Sequence, residues 1–179
     1  MPPKVGRRIV VYGWTGSGKT AVACRIGAAL GLPVIDLDAI FWSPGDWRHL
    51  EVGEFKAAAL ELLAGCPDGW VCDGNYASIR DAILPQVDTA VVLQLPLRLT
   101  YWRLMKRTVT RAWTRKLLWG TNRESLRSRG SLLLSSLTER VRGFGALFVD
   151  IAHHAPHASV IVLRSSTGVK AFLADLDAR

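Results

Sequence analysis

Gly13-Trp14-Thr15-Gly16-Ser17-Gly18-Lys19-Thr20 is the stretch that decides the fold of this 179-residue chain. It follows a short β-branched and aromatic run, Ile9-Val10-Val11-Tyr12, which predicts a buried strand. It precedes residues 21–30, which are rich in helix formers. A glycine-rich loop between a strand and a helix turns backbone N–H groups toward an anion, and the helix dipole favours negative charge there. The stretch therefore predicts a phosphate-binding site.

The spacing of the fixed residues identifies the kind of phosphate site. Gly13, Gly18, Lys19 and Thr20 fit the P-loop pattern at every fixed position, and a chance match in a glycine-rich turn is the alternative. Lys19 adds a mobile positive charge for the terminal phosphates, and the Thr20 hydroxyl can ligate Mg²⁺. We predict ATP and Mg²⁺ as cofactors. The predicted nucleotide contacts in the loop are Gly13, Thr15, Gly16, Ser17, Gly18, Lys19, Thr20 and Ala21.

Composition favours one globular domain over residues 1–179 with anionic partners. The chain is 49% hydrophobic and carries a net charge of +8, which fits nucleotides, phosphorylated metabolites or nucleic acid. The three cysteines show no CxxC spacing and are interpreted as buried thiols, so we expect a cytoplasmic protein. The basic N-terminus leads directly into the first strand, without the apolar segment of a signal peptide. The longest apolar runs are too short to cross a bilayer, so we expect no membrane partner.

Strands and helices alternate along the chain, which predicts a parallel sheet covered by helices. Two of the strands are continuous apolar runs, as expected of strands buried on both faces. The predicted strands are 7–12, 33–37, 69–73, 89–95 and 159–164. The predicted helices are 18–31, 51–64, 97–116, 131–153 and 168–177. Two segments, 39–68 and 112–130, look like insertions into this α/β core.

The predicted helix 97–116 carries two patterns. One apolar series repeats at helical spacing and is expected to pack inward: Leu99, Trp102, Met105, Val109 and Trp113. Arginines at 103, 107, 111 and 115 form a second row, in which like charges four residues apart repel. The arginine row indicates either a helix face exposed to solvent or a helix face that binds a polyphosphate. Residues 98–142 contain twelve Lys or Arg and two Glu, which is more than the whole positive excess of the chain.

Carboxylates follow two of the predicted strands at the edge where ligands bind parallel sheets. Asp36 and Asp38 are expected to share one face of a strand end, since the side-chain period there is two. We predict that Asp36 holds Mg²⁺ through water and that Asp38 binds an acceptor hydroxyl or acts as a base; turn-forming carboxylates are the alternative. Asp73 ends a hydrophobic strand, as a carboxylate near Mg²⁺ does in Walker-B fashion. Gly74 and Asn75 would then let the backbone approach a ligand.

With these residues in place, the chain resembles the adenylate kinase-like P-loop kinases, and more closely the DNA topology modulation proteins. The resemblance covers nearly the whole chain. Besides the P-loop it rests on three stretches: residues 36–42 with Pro44-Gly45 and Trp47, Asp73-Gly74-Asn75-Tyr76, and residues 119–127. It implies a P-loop NTPase fold, with five parallel strands, helices on both faces, an acceptor-binding insertion at 39–68 and a mobile lid at 112–130.

The resemblance also implies roles for individual residues. Arg123 and Arg127 would sit in the lid and meet the transferring phosphoryl group, so with Lys19 and Asp38 they are the predicted catalytic residues. Arg107 or Arg111 would lie near adenine or the phosphates, and Ser166 would touch adenine. The predicted acceptor-binding residues are Asp38, Trp42, Gly74, Asn75, Tyr76 and Arg80. The predicted metal-site residues are Thr20, Asp36 and Asp73.

Two function classes follow from these patterns. We favour an ATP–Mg²⁺ phosphotransferase for a small acceptor, which is either an anionic nucleoside monophosphate or an alcohol helped by Asp38 as base. Trp42, Trp47 and Trp70 would stack on a planar base or simply pack in the core. The alternative is an ATP-binding protein that associates with DNA or regulates another process, with little turnover. The basic stretch 98–142 supports that alternative, whereas the motifs favour the kinase.

Overall fold

The computed structural model describes residues 5–42, 49–114 and 144–178. Five strands form one parallel sheet in the order β2-β3-β1-β4-β5. The strands are β1 (Arg8–Gly13), β2 (Val34–Asp36), β3 (Trp70–Asp73), β4 (Thr89–Leu93) and β5 (Ser159–Leu163). The predicted five-stranded parallel sheet is confirmed, and each strand bound lies within two residues of its predicted place.

Seven α-helices are described, together with 3₁₀ turns at Ala77–Ile79 and Leu84–Gln86. The helices are α1 (Lys19–Leu30), α2 (Leu37–Phe41), α3 (Val52–Ala64), α4 (Arg80–Ile83), α5 (Leu97–Thr114), α6 (Gly145–His154) and α7 (Ser166–Asp177). The predicted helix 131–153 is described only from Gly145 onward, and its first part lies outside the described residues. Helices α2 and α4 were not predicted, because each is shorter than two turns and has no periodicity to detect.

The two faces of the sheet bury separate apolar clusters. Val10 and Tyr12 of β1 pack on the side of α3, α4 and α6, whereas Ile9 and Val11 pack on the side of α1 and α7. This alternation puts helices on both faces and explains why the strands read as continuous apolar runs. Trp70 is 1% exposed within the first cluster, so core packing is the correct interpretation for this tryptophan.

Helix α5 departs from the predicted packing. Leu99 is partly buried against the second cluster, but Trp102, which was expected to face inward, is 69% exposed. The residue of this turn that is fully buried is Thr100, whose hydroxyl donates to the Leu97 carbonyl at 2.9 Å. A threonine that satisfies its hydroxyl on its own helix is cheap to bury. The prediction is therefore wrong for Trp102, whereas Leu99 and Met105 are partly buried and the side chains of Val109 and Trp113 lie outside the described residues. In the described part of the chain, no helix has the length and apolar character needed to cross a membrane.

Candidate active site

The P-loop joins β1 to α1 at the carboxyl edge of the sheet. Its turn is closed by a hydrogen bond in which the Ser17 amide donates to the Trp14 carbonyl at 3.0 Å. Gly13 is required by close approach, because a Cβ there would lie 2.6 Å from the Ser17 hydroxyl oxygen and 2.9 Å from the Leu93 Cβ. The first amides of α1 have no partner within the helix, so they are available to an anion.

Thr20 and Asp73 meet across the sheet edge. Val11 pairs with Asp73 in the β1–β3 register, which brings the end of β3 beside the start of the P-loop. The Thr20 and Asp73 side chains are hydrogen-bonded. Asp73 is 3% exposed, and among the described residues its Oδ1 atom has no hydrogen-bond partner. Burial raises the pKa of this carboxyl, while the Thr20 hydrogen bond and the Lys19 charge oppose that rise.

This arrangement fits Mg²⁺ held jointly with a nucleotide. Mg²⁺ keeps several waters and usually takes only one or two protein oxygens beside substrate phosphates. Thr20 offers a hydroxyl, and the unpartnered Asp73 oxygen offers an acceptor for a metal-bound water. Within residues 5–42, 49–114 and 144–178, no group of three His, Cys, Asp or Glu side chains is arranged to hold a metal.

The structure corrects the predicted geometry of Asp36 and Asp38. Asp36 ends β2 opposite Asp73 in the register, but Asp38 lies in the first turn of α2 and not on the strand. Asp36 caps α2, because its Oδ1 accepts from the Asp38 amide at 2.9 Å. The period-two argument therefore does not apply. The signal was available, since Asp before an apolar run is a typical helix N-cap.

Asp38 belongs to a chain of polar side chains. The Tyr76 hydroxyl donates to Asp38 Oδ1 at 2.5 Å, and the Trp42 and Tyr76 side chains are themselves hydrogen-bonded. Burial, together with the adjacent Asp38 carboxylate, raises the pKa of Tyr76 far above its ordinary range, so its proton stays in place. The phenol therefore acts as a fixed donor that orients Asp38. The sequence placed Asp38, Trp42 and Tyr76 in one site, and the structure brings them together.

An aromatic wall surrounds this chain. The Phe41 ring lies 4.8 Å from the Tyr76 ring and 5.0 Å from the Phe55 ring, centroid to centroid. His49 stacks on Phe41 with nearly parallel planes, and a backbone bridge joins Trp42 to His49. We call Phe41, Trp42, His49, Phe55 and Tyr76 the aromatic wall. It places an apolar surface beside the Asp38 carboxylate.

Arg80 is held inside the protein. It is 8% exposed, and its guanidinium donates to Asp150 at 2.7 Å and to the Asn75 side chain at 2.6 Å. The guanidinium also lies 5.8 Å from the Tyr12 ring centroid. Gly74 precedes this contact with φ 145°, and a Cβ there would lie 2.7 Å from the Leu37 Cβ. Gly74 and Asn75 thus have clear packing roles, whatever they contribute to ligand contact.

Arg103 is the residue that the sequence analysis missed. Its guanidinium donates to the Ser17 carbonyl at 3.3 Å and to the Ser166 hydroxyl at 3.2 Å, so it bridges the P-loop and the start of α7. The arginine row predicted on this helix contained this residue, but nothing in its spacing distinguished Arg103 from the other three arginines. Ser166 lies beside this guanidinium, next to Ser165, which caps α7.

Several of the predicted site residues, or their side chains, lie outside the part of the chain that the structure describes. Arg123, Arg127, Trp47 and the lid from residue 115 onward lie outside the described residues. Arg107 and Arg111 lie on α5, and their side chains are also outside them. Thr15, Gly16 and Ala21 lie in the P-loop and the first turn of α1, as predicted.

The strand order, the P-loop between β1 and α1, and the helices on both faces define the fold of the P-loop kinases. Among solved structures, the chain is similar to a gluconokinase from Sinorhizobium meliloti 1021, with TM-score 0.55 and 21% identity, covering 96% of this chain and 94% of that one. It is similar to the shikimate kinase from Acinetobacter baumannii in complex with shikimate, with TM-score 0.57 and 20% identity, covering 96% and 92%. A sugar kinase from Janibacter sp. HTCC2649 gives TM-score 0.51 and 21% identity over 98% and 92%.

These likenesses show the fold over nearly the full length of the chain. The sequence matches no protein-family model and no curated protein.

Proposed function

We propose that this protein is an ATP–Mg²⁺-dependent phosphotransferase that moves the γ-phosphoryl group of ATP to a small acceptor. The observation that carries the proposal is the meeting of Thr20 and buried Asp73 beside a complete P-loop. The similar solved structures are named a gluconokinase, a shikimate kinase and a sugar kinase. These names support a phosphotransferase. The closer resemblance to the DNA topology modulation proteins rests on the motifs and stays part of this proposal.

The roles divide by position around the sheet edge. Lys19 and the first amides of α1 bind the β- and γ-phosphates, and bound Mg²⁺ supplies neutralising charge to the phosphate oxygens. Thr20 and Asp73 hold the metal, the latter through water, with Asp36 beside them. Arg103 fixes the P-loop carbonyl against α7 and, with Ser166 and either Arg107 or Arg111, borders the nucleotide. Arg123 and Arg127 are proposed to meet the transferring group.

The acceptor is proposed to bind on the other side of these phosphates. Asp38, oriented by Tyr76, receives the attacking group, and the partly exposed members of the aromatic wall, Phe41, Trp42 and Tyr76, contact the body of the acceptor. Trp42, Gly74, Asn75 and Arg80 complete this region. The chemistry asks mainly for position and for electrostatic stabilisation, since phosphoryl transfer needs little covalent help from the protein.

The test is a comparison of Lys19→Ala with Lys170→Ala, which removes the same charge from an exposed position on α7. Calorimetry with ATP–Mg²⁺ and steady-state ADP production would be measured on both. Lys19→Ala should lose roughly tenfold or more in affinity or turnover, because it removes a charge that contacts developing negative charge. Lys170→Ala should behave as wild type. Equal affinity and equal activity in the two variants would overturn the assignment of the P-loop.

A second candidate, an ATP-binding protein associated with DNA, is favoured by one observation. The stretch 98–142 carries twelve basic and two acidic residues. Such a concentration of positive charge would give DNA affinity that falls steeply with salt. A kinase would instead form ADP in an acceptor-dependent way.

A further inference from the structure

We infer that the acceptor is a hydroxyl compound that is neutral or carries an ammonium group, and not a nucleoside monophosphate or a sugar acid. The inference rests on the proposed phosphotransferase function and names its substrate class. It comes from one juxtaposition: the Asp38 carboxylate faces the aromatic wall, while the neighbouring cation Arg80 is already neutralised.

The first step concerns Arg80. An arginine placed to bind a substrate anion keeps donors free for it, because the guanidinium recognises carboxylate or phosphate with two parallel hydrogen bonds. Arg80 has given one terminal nitrogen to Asp150 at 2.7 Å and the other to Asn75 at 2.6 Å. Its Nε has no hydrogen-bond partner among the described residues, but this atom is buried out of reach of solvent. It is 8% exposed, so an acceptor anion would have to displace a buried ion pair to reach it. The charge of Arg80 is therefore used within the protein.

The second step concerns the charge beside Asp38. Besides Arg80, the described segments 36–42 and 49–80 contain one further Lys or Arg, Lys56, which donates to Asp81 at 2.6 Å and is also paired. Asp36 and Asp73 lie at the ends of neighbouring strands, and Asp38 follows in the next turn. An anionic acceptor would meet repulsion here, whereas a hydroxyl or an ammonium group would find acceptors for its hydrogens.

The third step concerns the reacting group. Asp38 accepts from Tyr76 at Oδ1, and a carboxylate can accept at both oxygens, so Oδ2 can receive the proton of an acceptor hydroxyl. The hydroxyl oxygen then forms a bond to the γ-phosphorus, and the bond from that phosphorus to the β,γ-bridging oxygen breaks. The electron pair leaves with ADP, and the proton passes to Asp38 and from there to solvent. A phosphate acceptor is already ionised and would have no use for this base.

The experiment is an acceptor panel in which one carbon skeleton appears in different charge states. Glucose, glucosamine and gluconate form one set, and uridine and uridine monophosphate form another. ADP production is followed with ATP and Mg²⁺, and kcat/KM is obtained for each compound. In the set that is used best, the neutral or ammonium member should exceed its anionic partner by roughly tenfold or more.

Two variants tie the result to the residues. Asp38→Asn should lower kcat by roughly a hundredfold for that acceptor while leaving ATP affinity within about twofold, as expected for loss of a general base. The control Asp68→Asn makes the same chemical change at an exposed side chain just before β3 and should leave both values unchanged. Asp150→Asn leaves the Arg80 charge without its carboxylate. The ratio of kcat/KM for the neutral or ammonium acceptor to kcat/KM for the anionic acceptor should then fall several-fold.

The outcomes separate this inference from the proposed function. A faster reaction with the anionic members overturns the inference and leaves the phosphotransferase proposal standing. An unchanged ratio in folded Asp150→Asn also overturns it, because neutralisation of Arg80 would not be the cause of selectivity. ADP formation that no acceptor accelerates overturns both.

Discussion

At the scale of single residues, Asp73 is costly to the fold and is explained by the proposed metal site. A carboxyl that is 3% exposed, with one oxygen unpartnered among the described residues, costs folding free energy when it is ionised. The Thr20 hydroxyl and the Lys19 charge favour the ionised form and offset part of that cost. A site that binds a metal-bound water gains from the unpartnered oxygen, so the cost is understandable as a binding feature.

We predict that Asp73→Asn raises the stability of the protein without added Mg²⁺ and lowers its turnover with ATP. Burial raises the pKa of Asp73 above its ordinary value of 3.8. Below 3.8 the carboxyl is protonated in both the folded and unfolded states and costs nothing. As pH rises from 3.8 through the folded-state pKa the ionised form appears in the folded protein, and the cost appears with it.

The gain from Asp73→Asn should therefore be about 1 kcal/mol at pH 7 and should vanish as the pH falls toward 3.8. Denaturant unfolding at several pH values measures it. Asp81→Asn is the control, since the pKa of Asp81 is lowered by the hydrogen bond from Lys56 on the protein surface. If Asp73→Asn is destabilising at pH 7, the carboxylate is better satisfied than its environment indicates.

At the scale of elements, the sheet was predictable and the packing of α5 was not. Nearly every residue of a strand that is buried on both faces is apolar, so the whole strand stands out in the sequence. The end of β4 is therefore predicted to within two residues. In the first turns of helix α5, Thr100 is buried and Trp102 is exposed, which is the reverse of what the apolar pattern predicts for these two residues. A periodic apolar stripe predicts a helix but does not say how much of its length touches the core.

In the candidate site, too, some residues could be predicted from the sequence and others could not. The P-loop was predictable because its chemistry is local and its spacing is fixed. Arg103 was not, because its contacts with Ser17 and Ser166 join residues that are 86 and 63 positions away. The engagement of Arg80 with Asp150 is equally distant in sequence, at 70 positions. Pairings of this kind depend on how α5 and α6 dock, which no local pattern contains.

The bridge made by Arg103 leads to a prediction for α5 as an element. Arg103→Ala should weaken ATP–Mg²⁺ binding by roughly tenfold, because the P-loop loses its link to the start of α7 and the nucleotide loses a bordering cation. Arg98→Ala is the matched control, as Arg98 is exposed in the first turn of the same helix. Calorimetry on both variants is the measurement. Equal loss in the two variants would mean that general charge, and not the bridge, sets the affinity.

At the scale of the whole molecule, the charge distribution is the feature that both function classes must explain. The net charge is +8, yet residues 98–142 alone hold twelve basic and two acidic residues. The remainder of the chain is therefore slightly acidic. Concentrated positive charge favours the binding of either polyphosphate or DNA. These two ligands are distinguished by substitutions whose expected effects differ between the two functions.

Substitutions of Arg123 and Arg127 distinguish the kinase proposal from the DNA-associated alternative. They lie outside the described residues and are four positions apart in sequence, a spacing that on a helix puts two side chains on one face. On the kinase proposal this pair meets the phosphoryl group chiefly in the transition state. Arg123→Ala and Arg127→Ala should then each lower kcat by roughly a hundredfold or more, with a small change in ATP affinity.

On the DNA-associated alternative, each substitution should instead weaken duplex binding and reduce the slope of log affinity against log salt by about one for each DNA phosphate that the arginine neutralises. The measurement is a pair of assays on the same variants: steady-state ADP production with the best acceptor, and DNA affinity across a salt series. Arg25→Ala removes the same charge from an exposed position on α1 and is the control for both. If catalysis is unchanged while the salt slope flattens, the P-loop belongs to an ATP sensor on a nucleic-acid-binding protein. A large fall in kcat with an unaltered salt slope assigns the positive charge of this region to phosphoryl transfer.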